Sequence, residues 1–597
     1  MKVSDYIAQA VAGAGVRHVF CVPGGGSMHL IDSFGRQPGV QVVASLHEQG
    51  AAVAADGYAQ YTGGVGVALV TTGPGGTNTL TALAGAWLDS TPLVVIAGQV
   101  KTADMKPPHM RSRGFQEVDV VAMAKPVTKF AATIESARDC RSYVQAAFKL
   151  ATTGRRGPVF LAVPLDVQAS EFGEQDDLLA FEQAAFRTAA KQPRPSLAAE
   201  AATILHALSK ARRPVLLAGH GVRAAGACDL FRKVAATMFV PTLLTYRAAD
   251  LLHHGHPLNF GRPGTVALRG ANLAIQNSDF LLCVGARLDF GQTGYDVAQF
   301  APGARKFVVD VDPSEHDKLE GATHVKADAK EFLEELDSQL GGCRAPMFGE
   351  WRDLCEVWRD RYSGPCEQPQ TSLPSTRGLV DELSRQSATD DVLVPSSSGA
   401  SSEAFLQAFQ VKRGHRVVNS PGLGAMGYGV PQAVGVALAS GRRVVATDGD
   451  GGFPMNAQEL EVARRLRLPV KFFVLDNGGY GSIRQTQDTH FGGRHVASDS
   501  DSGLTLPSAS DLAQAYGIPS TVVSLSSELG EAVRFALAAD GPFVCQVVVD
   551  PSERTLPRVA SRTVGGRIVS GTLHDMLPHL PPDEQKAATP FVGRNPS

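Results

Sequence analysis

The 597-residue sequence carries almost no surplus of either charge: 56 lysines and arginines face 59 aspartates and glutamates, a formal net charge of −3 with a pI near 6.6. Without a basic surplus there is no electrostatic footprint for a nucleic-acid backbone, and a small anionic substrate must be met by local groups. No apolar run approaches the roughly 18 residues that a membrane-spanning helix needs. The amino terminus, MKVSDYIAQAVAGAG, starts an amphipathic helix with Ser4 as its expected cap and lacks a charged and then apolar export signal. The eight cysteines form no CxxC pair and no His-Cys metal spacing, as expected of thiols in a reducing compartment. The expectation is a cytoplasmic protein with neither nucleic acid nor membrane as a partner.

What is present is ordinary globular composition, 44% hydrophobic and 19% charged, over a length that holds about three to four domains. Strand-like and helix-like runs alternate in three sections, 1–170, 195–340 and 374–580. Polar stretches at Ser170 to Pro195 and Gly341 to Leu373 are expected linkers, and residues 581–597 an expected mobile tail.

The most informative stretch lies in the third section. The apolar run Val444 to Ala446 leads into Gly449-Asp450-Gly451, a helical segment follows with Leu460, Ala463 and Leu466 on one face, and Val470 to Leu475 supplies a second strand before Asp476-Asn477-Gly478-Gly479. A right-handed crossover sets the two strands side by side, so Asp450 and Asn477, 27 positions apart, meet at one sheet edge. Two oxygen-bearing side chains beside glycines suit Mg2+, which takes its remaining ligands from phosphate and water.

GDG followed at that distance by an Asn pair resembles the thiamine diphosphate binding motif, with Asp476 standing where the family has its first Asn. The resemblance assigns the metal ligands to Asp450, Asn477 and the carbonyl of Gly479, and places Gly449 and Gly451 at the cofactor. Two further blocks resemble the same enzymes. Gly15 to Gly26 with Val22-Pro23-Gly24, Leu46-His47-Glu48-Gln49-Gly50, and Thr72-Gly73-Pro74-Gly75-Gly76-Thr77-Asn78 are similar to the pyrimidine-binding domain of acetolactate synthases. Pro23, Gly73 and Asn78 then belong to the cofactor site. Glu48 matches the glutamate that hydrogen-bonds the aminopyrimidine so that the thiazolium carbon can lose its proton. Pro421 to Gly429 looks like the segment that bends the cofactor, with Met426 between its rings and the carbonyls of Gly424 and Met426 as acceptors.

The order of sections resembles the pyrimidine, central and diphosphate domains of the acetolactate synthase and pyruvate decarboxylase superfamily, which implies three parallel-sheet α/β domains. It implies an active site shared between subunits, hence a homodimer or homotetramer. Phe115-Gln116-Glu117 resembles acetolactate synthases, where Phe and Gln line the pocket, and the acidic residue and His pair of aldehyde-releasing decarboxylases are missing. Poor proton delivery favours carbon-carbon ligation after decarboxylation of pyruvate.

The acceptor pattern departs from the family: Gly291 replaces the second Arg of Gly-Ala-Arg-Phe-Asp-Asp-Arg, and Thr486 replaces the Trp of Arg-Gln-Trp-Gln. Losing an arginine that can pair a carboxylate, and a bulky indole with it, points to a neutral ketone or keto sugar as the carbonyl acceptor. The block Leu556 to Ser570 is similar to acetolactate synthase-like carboligases of branched-sugar and surface-polysaccharide pathways. His29 is a further candidate for touching the acceptor, set against a structural role. The resemblance also implies FAD in the central domain, touching Gly219, Gly221 and Arg287; an empty or nucleotide-filled domain and a redox role are the alternatives. The other readings are an acetolactate synthase condensing two pyruvates and a catalytically silent binding protein of the same fold.

Overall fold

Residues 1–107, 109–172, 197–341, 348–364, 366, 371–565 and 567–593 are described by the computed structural model. Three sheets form, every ladder in them parallel, from short apolar strands buried on both faces by helices. The first has the order Gln41–Ala44, His18–Cys21, Gly66–Val70, Leu93–Gln99, Val159–Pro164, Phe130–Thr133. The third, Arg416–Val417, Val392–Val394, Val444–Gly449, Val470–Asp476, Phe543–Val548, Ser520–Val523, repeats that order. The middle sheet is wound differently: Thr323–Lys326, Arg305–Asp310, Phe280–Val284, Pro214–Ala218, Thr242–Leu244.

The first and third domains pack through the helices Glu48–Thr62 and Gly429–Ser440, and one apolar core runs through both. Their backbones touch: a Cβ at Gly435 would stand inside the van der Waals radius of the Ala54 carbonyl oxygen, and one at Gly57 would lie 2.7 Å from the Gln432 carbonyl. A buried polar cluster crosses the same contact. Gln60 Nε2 donates to Asp56 (2.7 Å) and Ser420 (2.8 Å), Gln432 Nε2 donates to Ser420 (2.8 Å), and Arg247 of the middle domain donates to Gln60 Oε1 (2.9 Å).

Residues 581–593 include the helix Pro582–Ala588, which packs on the middle domain, where Asn277 Nδ2 donates to the Ala588 carbonyl (3.0 Å) and Arg213 stacks over Phe591. Ala588 supplies the apolar anchor that a tail rich in polar residues hides in sequence. The stretch Gly341 to Leu373 contains the helix Gly349–Arg361, whose Trp351 and Trp358 are buried in the middle core. The stretch Ser170 to Pro195 lies largely outside the described residues, and Ser170 accepts the Val3 N–H at 2.8 Å. Ser4 is not a cap: the first helix is Val3–Gly13, Asp5 accepts the Lys2 N–H (3.3 Å), and Ser4 is buried against Ser33. The block from Leu556 forms antiparallel pairs, Arg558–Val559 with Met576–Leu577 and Ser561–Val564 with Arg567–Ser570, that return to the middle domain through Val559 N–H to Thr265 O (2.8 Å). Among the described residues the cysteines are all unpaired, and no helix is long and apolar enough to cross a membrane.

Candidate active site

The strand Val444–Gly449 pairs in register with Val470–Asp476, and the Asp450 N–H extends the ladder to the Leu475 carbonyl (2.9 Å). Both turns therefore open at the carboxyl edge of the third sheet. There Asp450 Oδ2 accepts the Gly479 N–H at 2.9 Å, which joins two of the three expected metal ligands directly. Gly479 has φ +146°, and a Cβ there would collide with the Ser498 carbonyl and crowd the Arg484 guanidinium, so the turn requires glycine. Arg484 is buried and braces the third ligand: its Nη2 donates to the Asn477 carbonyl (2.8 Å) and side-chain oxygen (3.2 Å), and its Nη1 to the Gly478 carbonyl (3.2 Å). Sequence reasoning assigned Arg484 no part in the turn.

Burial first, and then the neighbouring Asp476 carboxylate, push the Asp450 carboxyl up to about 7. Asp476 itself accepts from Gly478 N–H (3.1 Å) and Gln546 Nε2 (2.7 Å). A buried carboxylate, an amide oxygen and a carbonyl oxygen are a hard-oxygen donor set of the kind Mg2+ takes. The surroundings also fit a diphosphate: nothing stands within 4 Å of a Cβ built at Gly449, and Ser401 Oγ is buried without a partner among the described residues. Gly451 abuts the Tyr480 ring. Opposite lies the helix Gly399–Ala408, whose preceding Ser397 donates to the Ala425 carbonyl. Gly424, at φ +65°, leads to Met426, 42% exposed, and Asn456 holds the turn from behind by donating to the Gly427 carbonyl (2.7 Å).

In the first domain the structure brings Glu48 and Asn78 together: Asn78 Nδ2 donates to Glu48 Oε2 at 2.9 Å. Glu48 opens its helix behind His47, whose ring accepts the Gln49 N–H (3.1 Å). Glu459, which sequence reasoning also missed, accepts the Leu46 and His47 N–H groups, each at 3.0 Å. Gly73 sits at φ +64° beneath the Gln116 carbonyl, where a Cβ would collide, so the Phe115-Gln116 segment rests on the Gly73 turn. Pro23 precedes glycines that pack on Thr71 and Thr72. His29 is half-buried in the next helix, Met28–Arg36, with no hydrogen bond among the described residues to tie it to Glu48.

In the middle domain Gly219 and Gly221 pack against Gly285. Gly221 and Arg287 line a cavity of about 610 Å3 that also touches Gly291, Asp310 and Gly422; Gly219 is not among its lining residues. Asp89 of the first domain faces Arg247 and Arg287 (each 3.7 Å) and accepts the Gly422 N–H (3.2 Å), so one carboxylate joins all three domains.

Three parallel-sheet domains, the outer two presenting a glutamate and an acidic glycine turn, define a cofactor-dependent α/β enzyme. Family models agree: residues 1–123 match the N-terminal binding domain of thiamine pyrophosphate enzymes, 201–336 their central domain and 397–547 their C-terminal binding domain. The large subunit of acetolactate synthase isozyme 2 from Escherichia coli is 34% identical, with 94% of this chain and 97% of that protein covered. A probable acetolactate synthase large subunit from Methanocaldococcus jannaschii is 30% identical, over 96% and 95%, and the Lactococcus lactis large subunit is 30% identical, over 93% and 94%. The chain belongs to the acetolactate synthase-like family of thiamine diphosphate-dependent enzymes.

Proposed function

We propose that the enzyme decarboxylates pyruvate and ligates the two-carbon acetyl unit onto a neutral ketone or keto sugar, with Mg2+ held by Asp450, Asn477 and the Gly479 carbonyl. When bound, thiamine diphosphate supplies the carbon nucleophile and the electron sink for loss of carbon dioxide. Glu48, oriented by Asn78, gives and takes the proton at the pyrimidine edge. The Gly424 to Gly427 turn and Met426 would hold the cofactor's rings, and Phe115 and Gln116 would close the pocket against water, while His29 stays a candidate for the acceptor. Phe115, 88% exposed in one chain, is an apolar group that a second copy would cover, which supports a homodimer or homotetramer, and the cytoplasm is its proposed compartment. FAD is assigned to the middle cavity beside Gly221 and Arg287.

The observation that carries the choice of acceptor is Gly291. Apart from its chain neighbours, the atom nearest a Cβ there is Asp289 Oδ1, at 3.2 Å, of a carboxylate already paired with Arg287 (2.8 Å), so no second guanidinium stands at the position of the family's second arginine. An anionic acceptor loses a charge-assisted pair of about 2 kcal/mol there. Thr486 likewise turns its hydroxyl back to the Ser482 carbonyl (3.0 Å) and offers no bulk. The second reading, condensation of two pyruvates, is favoured by the names of the relatives. The protein, given thiamine diphosphate, Mg2+ and pyruvate with and without neutral ketones and keto sugars, separates the two by product mass. Acetylated ketone matching pyruvate consumed supports the proposal; acetolactate as the main product in every mixture overturns it.

A further inference from the structure

A cavity of about 670 Å3 opens where the middle domain meets the third, and it shares no lining residue with the candidate active site. Its volume falls within the roughly 300–1,000 Å3 range of small-molecule sites. Its walls are the helix ends carrying Arg223 and Arg232, the loop through Leu251 and His256, and the segment Lys412 to Arg416. Five cationic side chains line it against two carboxylates, Asp229 and Asp250.

The carboxylates leave that excess in place. Asp250 is buried between two guanidiniums, accepting Arg223 Nη2 at 2.7 Å and Arg416 Nη1 at 2.9 Å, so one negative charge faces two positive ones. Asp229 is matched by Arg232 (2.5 Å). Lys412 Nζ meets carbonyl oxygens, those of Arg385 (3.0 Å) and Ser387 (2.6 Å), which satisfy its protons without cancelling its charge. Arg413 is exposed and makes no hydrogen bond or ion pair among the described residues. Arg223 Nε is buried with no acceptor. His256 accepts the Leu258 N–H on Nδ1 (3.2 Å), which leaves its other nitrogen as a donor.

We propose that this cavity binds a small phosphate-bearing anion. Three uncompensated positive charges match a multivalent anion, whereas a monocarboxylate would neutralise one and leave the others facing each other. Guanidinium forks suit phosphate oxygens, and the free Arg413 is a donor such a ligand would complete. The wall from Lys412 to Arg416 continues through the strand Arg416–Val417 toward the Gly424 turn, so an occupied cavity ties the middle domain to the segment that carries the cofactor bend.

Equilibrium dialysis of the full-length protein tests this, with thiamine diphosphate, FAD and free Mg2+ held at constant saturating levels and radiolabelled inorganic phosphate or ATP as the probe. Arg413→Glu removes a partnerless exposed side chain and leaves packing alone; Arg442→Glu, exposed and outside the cavity, is the control. One equivalent retained per chain, loosened about tenfold by R413E and unchanged by R442E, is the expected result. Tighter ATP than phosphate assigns a nucleotide source, and equal affinity assigns free phosphate; both support the site. No retention at millimolar probe, or equal loss in the two variants, overturns it.

Discussion

Glu459 accepts the backbone N–H of His47 at 3.0 Å, and through that bond a residue of the third domain fixes the turn that presents Glu48. The same oxygen takes the Leu46 N–H. Burial pushes the Glu459 carboxyl up from its usual 4.5 to about 7, so its contribution to stability is fully present below pH 4.5 and lost as pH rises through about 7. Glu459→Gln keeps an acceptor without the titration. Its Tm should fall less than the parent's between pH 5 and 8; parallel curves would contradict the assignment. Glu459→Ala, which strands two N–H groups, should cost about 1–3 kcal/mol and lower kcat.

Glu48→Gln retains the shape of the side chain and a partner for Asn78 while removing its charge. Carbon dioxide release from pyruvate should drop about 10²–10⁴-fold, the range of a lost general acid-base group, with an unchanged circular dichroism spectrum. Near-normal turnover would refute the role.

Asp450→Asn removes the one formal charge among the three expected ligands. Affinity for Mn2+, read by electron paramagnetic resonance in the presence of thiamine diphosphate, should fall at least about 100-fold, since even outer groups around metals are worth 10–100-fold. An unchanged titration would place the cation elsewhere.

Gly435→Ala puts a methyl group into the Ala54 carbonyl at the helix contact between the first and third domains. The expected loss is about 1–3 kcal/mol or more, because two packed backbones have nowhere to move, and Tm should drop by several degrees. A Tm within a degree of the parent would mean that the helices can part.

The site's outer turns were legible because they are short-range patterns. The placement of Asp450 and Asn477 at neighbouring strand ends follows from a strand, a crossover and a second strand, while Gly479 came with the resemblance of the motif, and the register that joins the strands is set by consecutive elements. Glu48 and Asn78 were likewise recognisable one by one, within ordered local motifs. Their mutual hydrogen bond, the support of Glu459 413 positions from Leu46, and the bracing of Asn477 by Arg484 were not. Long-range partners leave no periodic trace, since any buried glutamate or arginine in the chain could have supplied them.

The sequence by itself determined the alternation of strand and helix and the glycine turns, because backbone sterics and hydrophobic period act over a few residues. Only the tertiary structure decided that the chain after Leu556 returns to the middle domain, that one carboxylate, Asp89, joins all three domains, and that five cations gather around a cavity between two of them. Those arrangements depend on which surfaces meet when separate cores pack, and the free energy of that packing is shared among residues hundreds of positions apart.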